Sequence, residues 1–358
     1  MSPEFRPPPF IDALDFSRED VHQARINGTL LTISPMLPRT CNLRCRHCYT
    51  SAGKPDADNL SLDEIKSIVV QAKALGARTV RIAGHGEPLL WPDIWELIDF
   101  VTDCGMKTMF FTNGTMIGHK EAEWLLTRPV SLIVKFNSKK PEIQDYICGR
   151  RGAFQKIQAG IQALLDVGFN TSNPYRMGIE SGIFPQNYEE LPDIYRWARD
   201  HSIIPYFELT MHGGRGAINE EMHVTREQAR RLFELLLEID QTEYGYTWFP
   251  SPPYVGFPCD KLFYNVVVNH NGTVQPCYGI NIPLGNVRVE PLSQIMRSPI
   301  LRDLRSLDRM HGNCGACALH DKCYFGCRCD AFCHGDVFGS YHMCWHYPVD
   351  EFALQEQK

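Results

Sequence analysis

The chain has 358 residues, 44% of them hydrophobic, which is enough for one large core and a smaller companion unit. A formal net charge of −6 excludes the basic footprint of a nucleic-acid binder, and no run of about 18 apolar residues offers a membrane span. The opening MSPEFRPPPF lacks the apolar stretch of a secretory signal, so a cytoplasmic location is expected; there, fourteen cysteines read as metal ligands or reactive thiols before disulfides.

In chain order, residues 1–28 form an N-terminal extension ahead of the first strand. From residue 29 to about 240, β-rich runs alternate with helical patterns: TLLTIS (29–34), TVRIAG (79–84), KTMFFT (107–112), VSLIVKFN (130–137), RMGIESGI (176–183) and PYFELT (205–210). The segment between the first two opens on a capping box, Ser61 and Glu64, before apolar residues at helical spacing. Strands separated by such helices pair in parallel through right-handed crossovers, which gives an α/β fold: a doubly wound sheet, or a whole or partial barrel. Sites in these folds gather at the carboxyl ends of the strands. After residue 241 the chain turns proline-rich in WFPSPPYVGFP, and nine of the fourteen cysteines follow, marking a second, metal-dependent unit over 241–358.

Cys41, Cys45 and Cys48 stand at C-x3-C-x2-C spacing in the loop after the first strand candidate. Three thiolates leave one corner of a four-cornered metal cage open, so the group is either a zinc knuckle completed by a residue such as His47 or a cluster with a free iron. The second strand ends in AGHGEPLL, with Gly84, Gly86 and Glu87, and the third ends in TNGT, residues 112–115. This combination closely resembles the radical S-adenosylmethionine (SAM) superfamily, whose fold would be a partial (β/α)6 TIM-like barrel over residues 29–240.

The resemblance implies that the three cysteines hold a 4Fe-4S cluster whose free iron binds SAM. It also implies a flavodoxin- or ferredoxin-type reductant. By carry-over, Glu87 accepts the methionine ammonium beside Gly86, and Asn113 of TNG belongs to the same cofactor site. His47 lies near the adenine, and Asn137 reaches a ribose hydroxyl. Lys135 faces the cofactor or substrate, or sits in a structural ion pair. His85 stands where many members have glycine. Cys148, in DYICGRRGAF, replaces a usual arginine; it is either a buried filler or a hydrogen-atom donor to a substrate radical.

The later ladder runs Cys259, Gly272, Cys277, then Cys314-x2-Cys317-x5-Cys323-x3-Cys327, and finally Cys344. It resembles the auxiliary-cluster domain called SPASM, with a pair of structural zinc sites as the bland alternative. That resemblance implies two auxiliary 4Fe-4S clusters, one on Cys314, Cys317, Cys323 and Cys344, the other on Cys259, Cys277 and Cys327. The second set lacks a fourth cysteine at the family's position. Its last corner is left open or is filled by Cys329, Cys333 or another group.

Polar residues that suit hydroxyl deprotonation or anion binding fall at the last two strand ends: Glu180 and Ser181, then Glu208, His212 and Arg215. The expected activity is radical SAM hydrogen abstraction from a small polar metabolite, best a sugar, aminoglycoside or nucleoside, ending in epimerisation, dehydrogenation or decarboxylation. Only 28 residues precede the first strand candidate, which leaves little room for a leader-binding domain and so disfavours a peptide. Maturation of a ribosomal peptide and tetrapyrrole modification stand as enzyme alternatives, and a non-catalytic iron-sulfur or zinc protein as the alternative of a different class.

Overall fold

The computed structural model describes residues 6–347. Six strands run parallel: β1 (Thr32–Pro35), β2 (Thr79–Ile82), β3 (Lys107–Thr112), β4 (Val130–Lys135), β5 (Met177–Ile183) and β6 (Ile204–Leu209). Helices α2 (Leu62–Ala74), α3 (Ile94–Asp103), α4 (His119–Leu126), α5 (Pro141–Cys148), α6 (Ala153–Asp166), α7 (Leu191–Asp200) and α8 (Arg226–Ile239) connect or follow them. A helix α1 (Arg18–Asn27) precedes β1, inside the stretch expected as a bare extension. Ser17 and Asp20 form a reciprocal capping box at its start, a signal present in the sequence.

The strands are neighbours in the order β6-β5-β4-β3-β2-β1, and β1 and β6 do not pair, so the barrel is open. Nearly every strand residue is buried, as expected when helices cover one face of a parallel sheet and loops fill the other. Each free edge is protected differently. The backbone of Pro253 and Val255 hydrogen-bonds to Leu209 and Phe207 along β6. On the other side β1 pairs in parallel with β7 (Val267–Val268), which continues antiparallel into β8 (Thr273–Gln275) and β9 (Gly285–Asn286). The cysteine-rich part thus begins by extending the barrel sheet. Gly272, at φ +85, makes the β7–β8 turn.

Candidate functional site

The three opening cysteines sit in a loop closed by a Thr40–Gly53 bridge. Backbone N–H groups of Leu43 and Ala52 point at the sulfurs of Cys41 and Cys48, at 3.5 and 3.4 Å. Arg215 clamps the loop from the β6 side: Nε donates to the Cys45 carbonyl at 2.8 Å and Nη1 to that of Ala52 at 3.0 Å. Its guanidinium is spent on backbone, which corrects the expectation that it meets substrate. From the other side, Arg44 and Arg46 donate their backbone N–H groups to the carbonyls of Cys148 and Ile147 at the end of α5. A Cβ at Gly149 would stand 2.3 Å from the Arg44 carbonyl, so only glycine lets α5 approach.

Gly86 has a similar reason. A Cβ there would lie 2.3 Å from the Thr40 carbonyl and 2.5 Å from that of Pro38, so this glycine makes room for the cysteine loop itself. Glu87 is 3% exposed; its carboxylate accepts from Thr112 Oγ1 and Asn113 N, each at 2.7 Å, and burial raises its pKa. Leu89 N donates to the same carboxylate at 3.2 Å, which leaves one lone-pair position for a cationic partner. Asn113 Nδ2 donates to Asn42 at 2.8 Å, tying TNG to the cysteine loop. His85 adopts φ +74, a left-handed conformation that explains why glycine suits this position.

One cavity of about 190 Å³ is lined by Cys41, Cys45 and Cys48 at one end and by Cys259, Cys277, Cys327 and Cys329 at the other. His47, Glu87, Asn113, Lys135, Glu180 and Glu208 also line it. His47 packs tilted against Phe184 with ring centroids 4.8 Å apart, and burial pulls its pKa down to about 3, so the ring is neutral. Lys135 Nζ lies 2.5 Å from Glu180 Oε1, which makes the lysine a member of a buried ion pair that also faces the cavity. Glu208 is the other charged neighbour of Glu180, whose Oε2 has no hydrogen-bond partner among the described residues. Burial and the neighbouring Glu180 charge raise Glu208 to about 8, whereas Lys135 holds Glu180 below its ordinary value against the cost of burial.

Other expected site residues lie elsewhere. Asn137 is 2% exposed and off the cavity wall; its Oδ1 accepts from Gly182 N at 3.0 Å, joining the ends of β4 and β5. Ser181 Oγ is likewise spent, on the Phe136 carbonyl. Cys148 is buried behind the cysteine loop, where its thiol is hydrogen-bonded to Cys45 and accepts from Gln144 Nε2 at 3.3 Å. It does not line the cavity, so it is not placed to reach a substrate there. His212 turns away to Asp330, 3.2 Å off.

Two cavity residues escaped the sequence reading. Arg81, on β2, is 4% exposed, and its Nε and Nη1 have no hydrogen-bond partner. Lys261 is buried, donates to Tyr206 Oη at 2.6 Å and sits 3.7 Å from the Tyr254 ring centre. An arginine inside a strand buried on both faces was the available signal.

The later cysteines form two groups. Cys314, Cys317, Cys323 and Cys344 line one small cavity with Phe325 and Tyr341. In the other group, Cys259, Cys277, Cys327 and Cys329 line the large cavity together, while Cys333 is exposed. Burial pushes Cys41 up to about 11 and Cys344 to about 12, so iron must displace protons when it binds. Four convergent, water-poor thiols per group fit an iron-sulfur cluster.

Residues 36–198 match the radical SAM superfamily and residues 259–324 match the SPASM iron-sulfur cluster-binding domain. The chain is 26% identical over 345 residues to an AdoMet-dependent heme synthase of Methanosarcina barkeri, covering 86% of this chain and 94% of that protein. It is 27% identical over 315 residues to mycofactocin maturase MftC of Mycolicibacterium smegmatis, covering 84% and 78%. Streptococcus suis SuiB, solved with its precursor peptide SuiA, superposes with a TM-score of 0.69 at 18% identity over 95% of this chain and 84% of that one, a likeness of fold. Among the described residues, no helix is long and apolar enough to cross a membrane. The chain thus carries a radical SAM domain over residues 36–198 and a SPASM domain over 259–324, with SAM, a SAM-binding 4Fe-4S cluster and auxiliary iron-sulfur clusters as the cofactors of those domains.

Proposed function

We propose that this enzyme oxidises a peptide at a residue bearing a carboxylate. The observation that supports this reading best is the single cavity running from the opening cysteines to the Cys259 group, walled by a carboxylate pair and two buried cations. When bound, SAM and its reduced cluster would supply a radical that removes a hydrogen atom from substrate, and the auxiliary clusters would supply an acceptor for the electron left behind.

The chain's own residues do the rest. Cys41, Cys45 and Cys48 hold the SAM-binding cluster, and Glu87 receives the methionine ammonium of SAM. Cys259, Cys277, Cys327 and Cys329 hold the nearer auxiliary cluster, and Cys314, Cys317, Cys323 and Cys344 the farther one. His47, neutral and braced against Phe184, packs beside the adenine. The Glu180–Glu208 pair takes the proton that an oxidised carbon or its heteroatom must release. Arg81, with two unpartnered N–H groups, binds the substrate carboxylate, with Lys261 adding charge. Cys148 donates its S–H to Cys45 and tunes the cluster it touches. A flavodoxin or ferredoxin supplies the first electron.

A peptide is preferred to the sugar expected at the outset because one relative is named a mycofactocin maturase and the SuiB neighbour was solved with a precursor peptide. A tetrapyrrole carboxylate is the second reading, favoured by the same arginine. The test incubates the anaerobic, iron-loaded enzyme and SAM with deuterated carboxylate-bearing peptides, tetrapyrroles or aminoglycosides. Deuterium in 5′-deoxyadenosine from the peptides supports the proposal; label drawn only from tetrapyrroles or sugars overturns it.

A further inference from the structure

His212, Asp330, His334 and His342 form a cluster apart from the cavity, and one donor atom from each lies within 4.8 Å of the others. We propose that these four side chains bind a zinc ion that staples the loop after β6 to the SPASM part of the chain.

Asp330 is 3% exposed, and imidazoles approach both of its side-chain oxygens: His212 Nδ1 at 3.2 Å from Oδ1, and His342 Nδ1 at 3.0 Å from Oδ2. His342 Nδ1 nonetheless finds no hydrogen bond of acceptable geometry. A buried polar atom left unpartnered beside a carboxylate is the arrangement a bound cation resolves. Nδ1 of His334 lies 2.8 Å from the Asp330 carbonyl; donating there would fix the tautomer and leave Nε2 as a free donor to metal. The His334 and His342 rings pack 3.8 Å apart, and His212 is held between them and His223, which stacks on it at 3.9 Å and is anchored to the Gly216 carbonyl. The three imidazoles keep partial exposure, so an ion has a way in.

Three nitrogens and one carboxylate, with no sulfur among them, suit a four-coordinate zinc site and differ in kind from the all-thiol groups. A second trio, Asp56, His85 and His270, offers only three donors, and Arg39 already occupies Asp56 at 2.7 Å. Among the described residues, the charged partners of Asp330 are these imidazoles, with no lysine or arginine. The location gives the ion a task. His212 follows Met211 on the cavity wall, and Asp330 follows Cys329, so the staple would hold the loop after β6 against the Cys329 end of the cavity.

The test uses the full-length enzyme with its clusters loaded. Zinc is measured beside iron by elemental analysis, and its ligand shell by X-ray absorption at the zinc edge. The expected result is about one zinc per chain in a nitrogen and oxygen shell with imidazole scattering, lost from the double variant His334→Ala, His342→Ala while iron content stays the same. The single variant His334→Gln, which folds more conservatively, should weaken zinc retention against a chelator. Absence of retained zinc, a sulfur shell, or zinc unchanged in the double variant would overturn the site.

Discussion

Glu208 lies beside Glu180 on the cavity wall, where burial and the Glu180 charge raise its pKa while Lys135 holds Glu180 below its ordinary value. Glu180→Gln should lower substrate oxidation by about 10²–10⁴-fold while SAM cleavage continues without product. The measurement is the ratio of 5′-deoxyadenosine to product, and a ratio that stays near unity would refute the role.

The same pair carries a pH signature. Glu208 keeps its proton up to about 8 when folded but releases it near the ordinary 4.5 when unfolded. The folded chain therefore binds more protons between those values, and this group's contribution to stability falls as pH rises through that window. Glu208→Gln should flatten the decline in unfolding temperature between about pH 5 and 8. Parallel curves for variant and parent would count against the raised value.

Cys329 stands where the second cysteine group lacks its fourth sulfur. Cys329→Ala should leave one auxiliary cluster short of an iron, read as a three-iron signal or as the loss of about four irons per chain. Cys333→Ala, at an exposed thiol, should change neither iron content nor spectrum.

Cys148 touches Cys45 and not the cavity. Cys148→Ala should preserve the product and shift the reduction potential of the SAM-binding cluster downward by on the order of tens of millivolts, since a hydrogen bond to a ligating sulfur is removed. A variant that still cleaves SAM but no longer forms product would restore the thiol as a hydrogen-atom donor.

Arg81→Met keeps the length of the side chain and removes its charge. If the guanidinium binds a substrate carboxylate, KM should rise about 10- to 100-fold with kcat less affected, and an amidated substrate should show no such penalty.

Much of this protein was legible without coordinates. β-rich runs and helical patterns located all six parallel strands to within a few residues, because buried strands and capped helices are local in sequence. The cysteine spacings, with GEP and TNG, identified the cofactor system, because short loops at strand ends must carry their ligands close together. What needed the fold were choices that depend on direction. His212 and Glu208 lie four residues apart around the end of β6, yet one faces the cavity and the other an imidazole cluster built from residues more than a hundred positions later. Cys329 and Cys333 are equivalent by spacing, but a single helical turn puts one against Cys277 and the other in solvent. Cys148 and Asn137 are turned to the back of the loops they support. Sequence periodicity says which residues are buried, whereas long-range packing alone determines which buried wall each one faces.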